Sequence, residues 1–187
     1  MATTGRRDET TTGRKGIAAP RDRVARLLED WRRERPDLDA TPMAVVGRIL
    51  SVGRLLEARA NRVLKPFGIK YTDLDVLATL RRSGKPYTLT PTALCDSVLV
   101  TSGAMTVCVD RLEKAGLLRR QASGSDRRCR AVALTPQGVR VIDRAIATRF
   151  AEAQDAVAPL SAGERNRLAA LLATLGQTLQ GPEPARS

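Results

Sequence analysis

The stretch from Thr101 to Arg130, TSGAMTVCVDRLEKAGLLRRQASGSDRRCR, constrains the fold more tightly than any other part of the chain. It opens on a hydroxyl pair, Thr101-Ser102, of the kind that caps a helix, and continues with Met105, Cys108, Val109 and Leu112 at the spacing of one helical face. Gly116 stops that helix where a left-handed residue is wanted. A strand follows, then Ser123-Gly124-Ser125 as a turn, then a return strand dense in arginine. A capped helix therefore runs directly into a basic hairpin.

The flanking sequence is punctuated by three Thr-Pro dipeptides, at Thr41-Pro42, Thr90-Pro91 and Thr135-Pro136. Threonine at the N-cap supplies a side-chain acceptor for an orphan amide, and proline at the first helical position has the required φ and needs no donor. These starts predict a long helix from Thr41 to Gly68, a short one after Thr90 and another long one after Thr135. An amphipathic segment with Val24, Leu27, Leu28 and Trp31 precedes them and ends at Pro36. A helix from Tyr71 to Gly84 carries Leu74, Val76, Leu77 and Leu80, and Ser161 with Glu164 forms a capping box for a last helix. The order is helix, long helix, helix, short helix, helix, hairpin, long helix, helix. Val45, Val46, Ile49, Leu50, Val52, Leu55 and Leu56 spread over more than one face of the first long helix, which suits burial on two sides, as at a dimer interface.

Aromatics are only 3% of the residues, so a core must be built from Leu, Val, Ala and Ile, which favours helices. With 32 Lys+Arg against 20 Asp+Glu the net charge is +12, implying a polyanionic partner. Histidine is absent, which removes the commonest general base and the commonest metal ligand. Three cysteines without a CxxC pair point away from a disulfide framework and from zinc. Neither a signal core after the N-terminal arginines nor a membrane-length apolar run is present, so a cytoplasmic protein without membrane attachment is expected. No catalytic residue, metal or cofactor is expected.

A helix followed by a positively charged hairpin is the layout of a winged helix-turn-helix, in which one element enters the DNA major groove and the other grips the flank. The outer face of the candidate recognition helix offers Ser102, Gly103, Thr106, Val107 and Asp110. Small hydroxyl and apolar groups approach base edges closely, and Val or the Thr methyl can touch a thymine methyl. Between Arg119 and Arg130 stand five arginines and one acid. Arginine on a narrow projecting loop suits the minor groove, and Asp126 is placed to orient Arg128.

At these residues the chain resembles the MarR-type transcriptional regulators. The resemblance rests on Leu89-Thr90-Pro91-Thr92, on Thr101 to Thr106, on Asp110 to Leu117, on Asp126-Arg127-Arg128 and on Leu134-Thr135-Pro136-Gln137-Gly138. It implies a mainly α fold with a small β-hairpin wing. Residues 1–19 would be a disordered basic tail and 20–187 a single domain, with dimerisation helices in 20–66 and 136–180 around a winged helix-turn-helix in 67–135. A homodimer would bind a near-palindromic operator in double-stranded DNA, with half-sites about 10 base pairs apart. DNA contacts would fall to Thr90, Thr92, Thr101, Ser102, Thr106, Val107, Arg111, Arg127 and Arg128, with Arg128 reaching the minor groove.

The added N-terminal segment, LLEDWRRERPDLDATPMAVVGRI, is similar to that of the family's urate-responsive branch. That similarity implies a ligand site built on Trp31, Asp75 and Arg120. At the fourth position, where the branch keeps an arginine, this chain has Cys108. A thiol in place of a guanidinium removes a charge-assisted grip on an anion. It also leaves Asp75 without its link to the recognition helix, so a less charged aromatic effector is expected in place of urate. The leading expectation is a repressor released by a small aromatic or anionic molecule. Two alternatives stand beside it: a redox-responsive regulator using Cys129, whose flanking Arg128 and Arg130 would favour the thiolate, and a DNA-binding protein without an effector.

Overall fold

The computed structural model describes residues 23–98, 102–123 and 126–180, with the side chains of Ser102, Ala104, 122–130 and Gln180 outside that description. The expected tail of residues 1–19 also lies outside it. Seven α-helices and three strands follow in order among the described residues: α1 (Arg23–Glu34), α2 (Thr41–Leu64), α3 (Tyr71–Arg82), β1 (Thr88–Leu89), α4 (Pro91–Ser97), α5 (Ser102–Lys114), β2 (Leu118–Ser123), β3 (Asp126–Leu134), α6 (Pro136–Ala156) and α7 (Ala162–Gln180). The fold is mainly α with a small antiparallel sheet, as the sequence predicts. The described residues form two compact units, divided between Val52 and Gly53 inside α2. None of the described helices is long and apolar enough to cross a membrane.

The helix starts follow from side-chain chemistry. Thr90 Oγ1 accepts from the Ala93 amide at 3.2 Å and Thr135 Oγ1 from the Gly138 amide at 3.0 Å, each with proline at the start of the helix. Glu164 accepts from the Ser161 amide at 2.8 Å while Ser161 Oγ accepts from the Glu164 amide at 3.3 Å, completing the capping box at α7. At α2 the helix begins on Thr41 itself, one residue earlier than the Thr-Pro pattern indicates, because Asp39 Oδ1 takes the Thr41 amide at 2.9 Å. α2 ends at Leu64, and a 3-10 turn over Lys65–Phe67 carries the chain to the left-handed Gly68.

In the first unit, α1 lies close to the start of α2. A Cβ on Gly47 would stand 3.0 Å from Val24 Cγ1, so the absence of a side chain lets the two helices approach. Leu28 is buried, and α1's charges pair locally, Arg33 with Asp30 at 3.0 Å and with Glu34 at 3.1 Å.

In the second unit, α3 is the hub. Val76, Leu77 and Leu80 are fully buried, and the core continues through Leu94, Met105, Cys108, Leu112, Val132 and Ile142. A third strand joins the expected hairpin: β1 pairs with β3, so the sheet order is β1-β3-β2, with Thr88 opposite Ala133 and Leu118 opposite Leu134. Its two residues are too few to carry a periodic signal. The base of the hairpin is tied shut. The Thr135 amide donates to Leu117 O at 3.1 Å and Thr135 Oγ1 to Gly116 O at 2.7 Å. A Cβ on Gly138 would lie 2.1 Å from Leu117 O, so only glycine allows α6 to start this close to the turn after α5.

Candidate nucleic-acid interface and ligand cleft

α4 and α5 are held against α3 through their apolar faces. Met105, Cys108, Val109 and Leu112 are buried, as their spacing requires, while Gly103, Thr106, Val107 and Asp110 face solvent. Val107 is 63% exposed, an apolar side chain on a face otherwise made of small and polar groups. Thr90 is half-buried with its hydroxyl engaged in capping, and Thr92 is exposed.

Three charged contacts fix how α5 is presented. Asp73, 2% exposed at the first turn of α3, receives the Arg111 guanidinium, with Nε at 3.2 Å, and the Cys108 thiol at 3.0 Å. Its second oxygen accepts from the Lys70 amide at 2.8 Å. Hydrogen bonding to Asp73 raises the Arg111 pKa. Burial first, then the hydrogen bond and charge of Asp73, push the Cys108 thiol up to about 12, so it stays protonated and acts as a donor. From the other side, Arg120 on β2 pairs with both Asp110 and Glu113, and its own amide donates to Glu113 Oε1 at 3.0 Å. One guanidinium thus holds the two carboxylates nearest the outer face of α5 and offsets half of their charge.

These contacts redistribute the residues singled out in the sequence. A carboxylate does reach the recognition helix, from Asp73, through Arg111 and Cys108 together. Arg120 holds two carboxylates of α5. Thr101 lies outside the described residues. Arg127, Arg128 and Cys129 lie on β3 and Ser102 begins α5, but their side chains fall outside the description.

Trp31 is 54% exposed and lines a cavity of about 280 Å³ within the first unit, with Leu28, Arg35, Leu38, Asp39, Ala40 and Met43. Asp75 lines a different one, a cleft of about 270 Å³ between α3 and α6 in the second unit. Its walls are Tyr71, Leu74, Ala78, Ile146, Phe150 and Ala153, and its charged groups are Asp75, Arg82 and Arg149. Arg149 lies 5.9 Å over the Tyr71 ring and donates to the buried Glu152 at 2.6 Å, which also accepts from Arg59 of α2 at 2.7 Å. Arg82 Nη2 donates to Thr79 Oγ1 at 3.0 Å and to Ser97 O, the last carbonyl of α4, at 2.6 Å. The sequence reading missed Asp73, Arg82 and Arg149. Arg82 ends a helix and Arg149 lies inside one, positions where arginine is ordinary.

Among the described residues no group of His, Cys, Asp and Glu is arranged to hold a metal ion.

Comparison with known proteins converges on one family. A model described as the MarR family matches residues 67–128. The chain is 36% identical over 149 residues to the HTH-type transcriptional regulator PecS of Dickeya dadantii, a match covering 80% of this chain and 90% of the relative. Among solved structures it is similar to Sco3205, a MarR family transcriptional regulator from Streptomyces coelicolor in complex with DNA, at 26% identity and a TM-score of 0.70, covering 79% of this chain and 93% of that one. It is also similar to a mutant of MarR from E. coli complexed with operator DNA, at 25% identity and a TM-score of 0.65, covering 73% of this chain and 96% of that one.

Proposed function

The chain belongs to the MarR family of winged helix-turn-helix transcriptional regulators, and from that premise we propose that it is a cytoplasmic homodimeric repressor, released from a near-palindromic operator by a small aromatic or anionic effector. The observation that carries the DNA reading is the outer face of α5. It presents Thr106 and Val107 to solvent while Arg120 holds Asp110 and Glu113 and offsets part of their charge. Thr106 and Val107 read base edges, Thr90 and Thr92 meet the backbone at the start of α4, and Arg127 and Arg128 on β3 reach the flanking minor groove. Arg111 contributes by holding α5 on Asp73.

The dimer reading is supported by apolar side chains left exposed on α2 (Val45, Leu50, Leu55) and on α7 (Leu171, Leu179). Surface of this kind is usually covered by a partner. The effector reading is supported by the α3/α6 cleft, which combines apolar walls with two guanidinium groups and one carboxylate. Of the sequence-proposed ligand residues, Asp75 belongs to this cleft; Trp31, Arg120 and Cys108 are retained as contacts whose substitution the same assay tests.

Selection of duplexes from a random pool, followed by footprinting of the winner, checks the reading. Two protected half-sites about 10 base pairs apart are expected. Replacing Val107 with Ala should shift the preferred base at one position per half-site by roughly 1 kcal/mol in discrimination and leave thermal stability unchanged. Footprints of a single half-site would sink the dimeric operator, and a screen of aromatic acids and phenols without any release of DNA would leave a regulator without an effector.

A further inference from the structure

Arg82 belongs to two places at once. It lines the α3/α6 cleft, and its Nη2 donates to the terminal carbonyl of α4 at Ser97. α4 is the first helix of the helix-turn-helix, and the chain passes from its end into α5. The bond to Ser97 runs from a charged donor to a neutral acceptor. A carboxylate brought beside the guanidinium is the stronger acceptor, because both partners are then ionised. α4 is seven residues long with Leu94 its one fully buried side chain; its last turn is closed within itself, by Ser97 Oγ to Ala93 O and the Val98 amide to Leu94 O, and the Arg82 bond ties that turn to α3.

We propose that Arg82 is the positioning residue through which an aromatic carboxylate in the α3/α6 cleft acts on DNA binding: the ligand's anion draws the guanidinium off Ser97 O, and the released end of α4 unseats the approach of α5 to the groove. The charge of the cleft selects the ligand class. Arg82 and Arg149 outweigh Asp75 by one positive charge, which a monoanion balances, and Leu74, Ile146 and Phe150 supply the apolar surface for a ring. Arg149 is already held by Glu152, so the anion competes there with a carboxylate, whereas at Arg82 it competes with a carbonyl. This inference rests on the cleft being the effector site and goes beyond it by naming the route.

The test uses the full chain, a duplex selected from a random pool, and 2-naphthoate with the uncharged 2-naphthamide as its control. Binding of each compound is measured by calorimetry, and DNA affinity is measured with and without saturating compound. Naphthoate should bind at least tenfold more tightly than naphthamide and weaken DNA binding about tenfold. In Arg82→Gln, which loses the charge and with its shorter side chain no longer reaches Ser97 O, the ratio of DNA affinities with and without saturating naphthoate should fall to within twofold of unity. Amide exchange in the wild-type chain gives a second readout, with naphthoate accelerating exchange at residues 94–98. If naphthoate does not bind the wild-type chain, or if Phe150→Ala binds it equally well, the cleft reading fails and the route with it. If naphthoate binds and Arg82→Gln is released as fully as the wild type, or if exchange at residues 94–98 is unmoved, the cleft stands and the Arg82 route is wrong.

Discussion

α1 and α5 are helices of similar length, 12 and 13 residues, yet they are held in opposite ways. In α1, Arg33 pairs with acids on the same helix, Asp30 and Glu34, all well exposed. In α5 the charged contacts reach across the fold: Arg111 to Asp73, and Asp110 and Glu113 to Arg120 on the wing. The same contrast appears in the glycines. Gly47 lets α1 approach α2 at the Val24 side chain, whereas Gly138 abuts a backbone carbonyl below the wing. Local pairs decorate a helix that other forces place. Distant pairs decide where a helix points, and a helix that reads DNA needs its direction fixed.

The contrast can be broken most sharply at Gly138. An added Cβ 2.1 Å from Leu117 O has no rigid-body escape, so Gly138→Ala should cost about 3 kcal/mol, near the upper end for overpacking. Thermal denaturation should show a melting temperature lower by roughly 6–12 °C. The matching Gly47→Ala change meets only Val24 and should shift melting far less. Equal shifts would erase the difference between the two regions.

Next in size is Asp73→Ala, which orphans both Arg111 and Cys108. Breaking a fully buried pair costs about 3–5 kcal/mol, but the Arg111 side chain is 40% exposed and recovers part of its hydration, so roughly 2 kcal/mol is expected. DNA affinity should fall by more than the loss of folded protein explains, because α5 loses its anchor. A variant that keeps wild-type affinity per folded molecule would show that α5 is oriented by packing alone.

A smaller effect lies in the pH dependence. The Cys108 thiol is raised from 9.0 to about 12 in the folded chain, so the native state retains its proton where the unfolded chain releases it. Its contribution to stability is therefore complete below about pH 9 and is lost as the pH climbs toward about 12. Cys108→Ser does not titrate there, and its stability should decline less steeply over that window. Parallel curves would remove Cys108 from the account. For the same reason Cys108 should resist alkylation at pH 8 in the native chain. At the bottom of the scale stands Arg33→Ala, whose exposed partners make no measurable difference to melting; a clear drop would mean that local pairs place α1 after all.

Much of this architecture is readable in the sequence because it is encoded locally. A Thr-Pro dipeptide carries its own acceptor and its own fixed φ, so the starts of α4 and α6 need no information from elsewhere, and the buried face of α5 follows from its period. What escapes is encoded at a distance. Asp73 lies 35 and 38 residues from Cys108 and Arg111, and no spacing rule joins them. Arg120 makes the same point: the resemblance implies an anion contact for it, while its pairing with Asp110 and Glu113 is visible only in the fold. Gly138 stands in a motif visible in the sequence, but the reason for a glycine there is the position of Leu117 O, which only the folded backbone defines.

The closure at the foot of the hairpin has an evolutionary consequence. Because Thr135 bonds back to Leu117 and Gly116, the chain leaves the body and re-enters it at one fastened point. Residues added to or removed from the tip change the entropy of a closed loop only logarithmically, by about 0.6 kcal/mol for each doubling of its length. The hairpin is thus a module that can lengthen, shorten or accept a foreign insert while the body keeps its shape, and reach along the DNA can diverge between descendants of this chain without a new fold.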